Sequence, residues 1–219
     1  MIVLNPYLAK VLDLIFNPLG GMVGDKFRYI IVGSKIPHDD YTVKIKKTRD
    51  FIDLFRRYYG KAILRISTNI FMHDIYPVDC DRIFFDVDDQ DCVYKIIDYM
   101  YKEYNMLPLI IKSPSKGYHL VYFIELGWIQ SNEYARFISK IILDLYDKAN
   151  ECVDLYYTMC SHGFHVVPYC RDEIDGKFTC ICDLDLKCID PKRGLKMIDN
   201  ALNHIFEVKT PWLEPKKQI

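Results

Sequence analysis

The chain has 219 residues, half of them hydrophobic and 14% aromatic, enough to bury a core in one large domain or two small, intimately packed ones. That composition excludes a disordered tail. The formal net charge of −1 conceals a split: residues 1–69 carry twelve Lys/Arg against six Asp/Glu, and residues 70–110 carry three against nine. A basic segment beside an acidic one is what a polyanion meeting a metal site needs, although ordinary solvated charge gives the same arithmetic. No apolar run approaches the ~20 residues of a bilayer helix, so a membrane span is not expected. The opening MIVLNPYLAKVLDLIF lacks the basic leader of a secretory signal, and a cytoplasmic location is expected. The eight cysteines (80, 92, 152, 160, 170, 180, 182 and 188) then read as reduced thiols or metal ligands.

In chain order, a short helical pattern ends at the breaker cluster Asn17-Pro18-Leu19-Gly20-Gly21. Phe27 to Val32 reads as a strand, and Thr48 to Tyr59 as a helix with Thr48 able to cap it and Gly60 to end it. Ala62 to Phe71 reads as another strand. Arg82 to Asp88 alternates, with Ile83, Phe85 and Val87 on one face and Phe84, Asp86 and Asp88 on the other. Val93, Ile96, Ile97, Met100, Tyr101 and Tyr104 recur at helical spacing. Leu107 to Lys112 and Tyr118 to Glu125 are strands joined by Ser113-Pro114-Ser115-Lys116-Gly117, and Tyr134 to Leu145 repeats the helical period. Phe164 to Tyr169 is a strand candidate, which gives the order β-α-β-β-α-β of ferredoxin-like and RNA-recognition-type sheets. Asp190-Pro191 opens a last helix with Leu195, Ile198, Leu202 and Ile205 as its buried stripe. The fold class is α/β (α+β), with an N-terminal α/β module over residues 1–75 packed on an RRM-like sheet module over 76–219.

Asp86 and Asp88 lie two apart on a strand, so both carboxylates leave one face. An unpaired carboxylate after the apolar Ile-Phe-Phe is costly, and a hard divalent cation resolves the repulsion. Asp89 and Asp91 read more simply as acids at a helix N-terminus. In Lys112-Ser-Pro-Ser-Lys-Gly-Tyr-His119, hydroxyls, lysines, a histidine and a glycine meet at a hairpin, a chemistry suited to phosphate oxygens.

Together, Phe85-Asp86-Val87-Asp88 and Ser113-Pro114-Ser115-Lys116-Gly117-Tyr118-His119 resemble the first two motifs of the archaeo-eukaryotic primase (AEP) superfamily: a D-x-D at a strand end, then a small–basic–Gly–x–His turn. Val153-Asp154 is similar to its third motif, an aspartate after an apolar residue. Val166-Val167-Pro168-Tyr169 and Asp175-Gly176-Lys177 resemble its proline-containing strand and loop. Where members commonly carry arginine before that proline, this chain has Phe164, His165 and Val166, with His165 or Arg171 as substitutes. The resemblance covers residues 60–185. It implies a DNA primase or primase-polymerase domain that joins NTPs or dNTPs on a single-stranded DNA template. Asp86, Asp88 and Asp154 would hold two Mg²⁺ or Mn²⁺ ions. Ser113, Ser115, Lys116, His119 and Arg65 would hold the nucleotide, and Lys44, Lys46, Lys47, Arg49 and Lys61 would track the template. A primase large subunit or a helicase is the implied partner, with an archaeal, plasmid or viral source. The alternatives are a gap-filling repair polymerase of the same superfamily and a non-catalytic RRM-like nucleic-acid-binding module.

Cys160, His162, His165, Cys170, Cys180, Cys182 and Cys188 cluster late and admit a structural zinc, but no C-x₂-C pair occurs, and buried small hydrophobes is the simpler reading. His38-Asp39 and His73-Asp74 lack the helical context of HD phosphohydrolases. Gly20-Gly21-Met22-Val23-Gly24 lacks the Gly-Lys-Ser/Thr of a P-loop.

Overall fold

The computed structural model describes residues 4–33, 42–72, 77–125, 139–141, 143–145, 152 and 163–207. Asp154, Cys160, His162 and both His-Asp dipeptides lie outside them. Helix α1 (Pro6–Phe16) starts where the Asn5 side chain accepts from the Tyr7 amide, with proline in its first turn. Its apolar stripe of Leu8, Val11, Leu12, Ile15 and Phe16 is buried. Strands β1 (Arg28–Val32) and β2 (Thr42–Ile45) precede α2 (Thr48–Tyr58). The helix cap differs from expectation: Lys47 occupies the N-cap position, with no side-chain hydrogen bond.

The stretch read as one strand from Ala62 to Phe71 is three, β3 (Lys61–Ala62), β4 (Leu64–Ser67) and β5 (Asn69–Phe71). The break after Ser67 has a cause in Arg28, whose guanidinium turns the carbonyls of Ser67 and Thr68 inward at 3.0 and 3.1 Å. Next come β6 (Pro77–Cys80), β7 (Arg82–Val87), α3 (Gln90–Tyr104), β8 (Leu109–Lys112) and β9 (Tyr118–Glu125). After the helical residues 139–141 and 143–145 follow β10 (Phe164–Val166), β11 (Arg171–Asp172), β12 (Lys177–Phe178), β13 (Cys180–Ile181), α4 (Pro191–Leu202) and β14 (Phe206–Glu207). Asp190 caps α4 through the Lys192 and Arg193 amides. The buried residues of α4 are Gly194, Ile198 and Ala201. Of the expected stripe, Ile198 is fully buried and Leu195, Leu202 and Ile205 pack partly buried against the core, while Gly194 is buried where a β-carbon would lie 2.5 Å from the Tyr169 hydroxyl.

Two antiparallel sheets build the core. One runs β10-β4-β1-β2. In the other, β13-β8-β9-β7 are neighbours and β14 pairs parallel with the end of β9. The expected β-α-β-β-α-β order therefore does not close on itself: Phe164–Val166 pairs with β4 in the first sheet, and β13 is the outer neighbour of β8. The alternation read in β7 holds: Ile83, Phe85 and Val87 pack beneath α3 with Ile141 and Leu145, and Phe84 packs with residues of the first sheet and α1.

A buried ionic network ties the sheets to α1. Arg28 and Arg82 both pair with Asp81. Arg28 Nε donates to Phe16 O at 2.8 Å and Arg82 Nη1 to Ile15 O at 2.7 Å, so two cations satisfy the C-terminal carbonyls of α1, where the helix dipole favours them. Burial costs the charges, but the two guanidiniums hold the Asp81 carboxyl below the usual range.

The cysteines do not all remain reduced thiols. Cys92 is disulfide-bonded to Cys152 and Cys180 to Cys188, while Cys80, Cys170 and Cys182 are free and buried. Spacing alone could not pair Cys92 with a residue 60 positions away.

Candidate active site

The chemistry-bearing residues collect where the two sheets meet. On β7, Asp86 faces the crevice and pairs across the ladder with His119 of β9. Its side chain is 33% exposed, and that of Asp88 at the strand's end is 65% exposed. Asp86 Oδ1 is 3.6 Å from His119 Nε2, and Asp88 Oδ2 is 3.4 Å from Lys116 Nζ. Phe84, two residues before Asp86, stacks on the His119 ring at 5.3 Å between centroids.

His119 has its proton position decided by its neighbours. The Val166 amide of β10 donates to its Nδ1 at 3.2 Å, so in the neutral ring the hydrogen is on Nε2, aimed toward the carboxylates. Burial, reinforced by the Arg65 charge, pushes its pKa down to about 3. Arg65 itself sits on β4 opposite Val166 and donates to Gly33 O at 2.7 Å.

The hairpin between β8 and β9 is closed by Ser113 N donating to Gly117 O at 3.1 Å. Ser113 is buried with its hydroxyl 3.4 Å from that of Ser115, and Ser115 and Lys116 are exposed. Gly117 has φ +83°, and a β-carbon there would lie 2.5 Å from Val87 O and 2.9 Å from Asp88 Cα. The glycine thus brings the hairpin against the acidic strand itself.

Asp86 and Asp88 offer hard oxygen donors from one strand face, with the neutral imidazole of His119 near the first and Lys116 near the second, and they fit Mg²⁺ or Mn²⁺. The expected third carboxylate, Asp154, lies outside the described residues. His165 does not stand in for the arginine of the resemblance. It is fully buried, its Nε2 accepts from Arg82 Nη1 at 3.1 Å and its Nδ1 donates to Val166 O at 2.9 Å. Arg171 is exposed on β11. Neither Cys170 nor Cys182 is poised as a nucleophile: burial pushes the Cys170 thiol up to about 12 and the Cys182 thiol up to about 11.

The basic stretch lies apart. Lys44, Lys46 and Lys47 line an open cavity of about 640 Å³ with Asp25, Phe27, Asp50 and Met72. This cavity flanks β2, three strands from β10 and hence about 14 Å across the sheet at the usual ~4.8 Å spacing. Lys44 Nζ lies over the Phe27 and Tyr29 rings, and Lys46 pairs with Asp25 at 2.8 Å. Arg49 is exposed in the first turn of α2 and Lys61 on β3. Among the described residues, no helix is long and apolar enough to cross a membrane.

The sequence reading missed the Val166 amide and the Phe84 stack. The amide had no signal in the chain, since it depends on which sheet β10 joins, and the stack is a diagonal contact that follows from the β7–β9 register. No protein-family model matches the sequence, and no curated protein matches it. Solved structures do match its shape. The AEP domain of the cyanophage S-2L primase-polymerase aligns with 86% of this chain and 95% of its own at 12% identity and TM-score 0.50. The catalytic domain of primase RepB′, in complex with initiator DNA, aligns with 91% of this chain and 95% of its own at 9% identity and TM-score 0.51. The polymerase domain of Mycobacterium tuberculosis ligase D, in complex with DNA, aligns with 89% and 88% at 13% identity and TM-score 0.51. Across a mixed α/β architecture of this size, these likenesses identify the chain as having the fold of the archaeo-eukaryotic primase superfamily.

Proposed function

We propose that this chain is a metal-dependent DNA primase or primase-polymerase domain, which extends a strand from NTPs or dNTPs on a single-stranded DNA template. The observation that carries the reading is the juxtaposition of Asp86 with His119 across one ladder, while Gly117 fixes the hairpin on the backbone of Asp88. Carboxylates for cations and donors for phosphates then belong to one rigid unit.

In this reading Asp86, Asp88 and, by resemblance, Asp154 hold the divalent ions. Such ions supply charge neutralisation on the triphosphate and acidify the attacking 3′-hydroxyl. The chain's own residues bind and orient. His119 donates Nε2–H to a phosphate oxygen, with Val166 preventing the opposite tautomer. Lys116, released from Asp88, and the Ser115 hydroxyl grip the outer phosphates, and Ser113 holds the turn. Arg65 adds positive charge on the β4 side. Positioning and electrostatics dominate transfer of this kind, and little covalent work falls to the protein.

The non-catalytic RRM-like alternative needs exposed aromatics on the sheet face. Phe84 is on that face but is 4% exposed beneath His119, which weighs against it. The test is Mn²⁺- or Mg²⁺-dependent incorporation of labelled nucleotides on single-stranded DNA, with and without a supplied primer. Asp86→Ala and Asp88→Ala are expected to lower incorporation by at least ~100-fold while leaving the melting curve cooperative. Incorporation at the normal rate in either variant overturns the assignment. Synthesis only with a primer selects the gap-filling polymerase instead.

A further inference from the structure

Away from the crevice, the described residues assemble a second set of ligand-type side chains. Cys180, Cys182 and Cys188 place their sulfurs within 4.8 Å of one another, two of the residues buried and Cys188 exposed. The backbone forces this convergence. Cys182 and Cys188 oppose each other across an antiparallel bridge. The turn between them is held by Asp183, whose amide donates to Lys187 O and whose Oδ1 accepts from the Asp185 and Lys187 amides. Cys180, two residues before Cys182, presents its sulfur 3.9 Å from the Cys182 sulfur. In the structure Cys180 and Cys188 are joined, and Cys182 is a free thiol beside them.

We propose that Cys180, Cys182 and Cys188, once the Cys180–Cys188 bond is reduced, form a thiolate site for a borderline-soft divalent cation of the zinc class. The donor set is all sulfur, which selects such a cation over Mg²⁺ or Mn²⁺. Zn–S bonds of ~2.3 Å in a tetrahedron put sulfurs roughly 3.8 Å apart, close to the 3.9 Å between Cys180 and Cys182. The disulfide accounts for two of the three sulfurs; a cation accounts for all three. His165 and Cys170, candidates on sequence, are not part of the set: the first is held by Arg82, and the second accepts from the Leu64 amide.

Occupation of the site follows reduction by an external reductant such as a dithiol. The Cys180–Cys188 bond breaks, the reductant's sulfurs form a disulfide, and its two protons pass to the released cysteines. The cation then displaces the thiol protons into solvent. Exposure of Cys188 leaves the fourth position open to water. The cation would pin β13 and its turn to β8, the strand that leads into Ser113, since Cys180 pairs with Lys112 and Cys182 N donates to Ile110 O. The proposal stands apart from the carboxylate crevice and does not depend on its function.

The test reduces the full chain anaerobically with a phosphine, removes the reductant and titrates with Co²⁺. A thiolate-to-cobalt charge-transfer band and tetrahedral d–d bands are expected, saturating at one ion per chain and displaced by Zn²⁺. They should be absent before reduction, lost in Cys182→Ser and in Cys188→Ser, and retained in Cys170→Ser. In the wild-type protein, Zn²⁺ should slow alkylation of Cys182 at least ~10-fold, as mapped by peptide mass spectrometry, a readout that needs no variant to fold. No cobalt–thiolate band in the reduced wild type, a band that survives Cys182→Ser, or Cys182 alkylation unchanged by Zn²⁺ each overturns the site.

Discussion

His119 is held neutral by two independent contacts, and each has a measurable consequence. Burial and Arg65 lower its pKa to about 3, and the Val166 amide occupies Nδ1. In its proposed role as a phosphate donor, a histidine that carries no charge of its own does not titrate through the physiological range, so its contribution to nucleotide KM should be flat between pH 5 and 8. Stability behaves differently. The unfolded imidazole takes up a proton below pH ~6.5 and the folded one does not until about pH 3, so the unfolded state binds more protons throughout that window. Stability conferred by the neutral histidine is complete above pH 6.5 and is lost as the pH falls. Going from pH 7 to pH 5 should cost about 2 kcal/mol from this residue alone, and buried His165 adds in the same direction. Urea midpoints at the two pH values should therefore converge in His119→Gln relative to the wild type. An unchanged gap would show that His119 titrates normally.

The hairpin and the acidic strand act as one element because of a glycine. At Gly117 both the positive φ and the 2.5 Å approach to Val87 O forbid a side chain. Gly117→Ala should cost about 2–3 kcal/mol, or a Tm loss of roughly 5–10 °C, and should raise nucleotide KM more than it lowers primer binding, because the hairpin must lift off Asp88. Equal effects on both would mean that the hairpin does not touch nucleotide. This element was legible in the chain: alternation over Arg82–Asp88, the helical period from Val93 and the turn residues 113–117 fix β7-α3-β8-β9 by local rules. The legible part ends where pairing becomes non-local. Phe164–Val166 reads as a strand, but nothing local says that its partner is β4, since that depends on Ile66 and Arg65, about a hundred residues earlier. The buried Arg28–Asp81–Arg82 network was invisible for the same reason, and arginines counted as basic charge proved to be caps for α1.

At the scale of the whole molecule, the charge split in the sequence is partly closed by the Arg28–Asp81 and Lys26–Asp79 pairs and otherwise laid out on separate surfaces. The acidic segment supplies β7 at the crevice, while Lys44, Lys46 and Lys47 line a cavity beside β2, three strands or about 14 Å from β10 across the first sheet. A template strand that reaches both would cross the face of that sheet, and its affinity would rest on counterion release. Each phosphate contact on single-stranded DNA contributes a slope of roughly −0.7 in log K against log salt. Replacing the three lysines by alanine should therefore flatten the slope by about 2 units, somewhat less if Asp25 keeps Lys46 from DNA. Incorporation at saturating template should hardly change, since none of the three lies in the crevice. Fluorescence anisotropy with a labelled single-stranded oligonucleotide across a salt series measures the slope. A slope identical to wild type would take the template off this edge and leave Arg65, Lys116 and the crevice as the surface it meets.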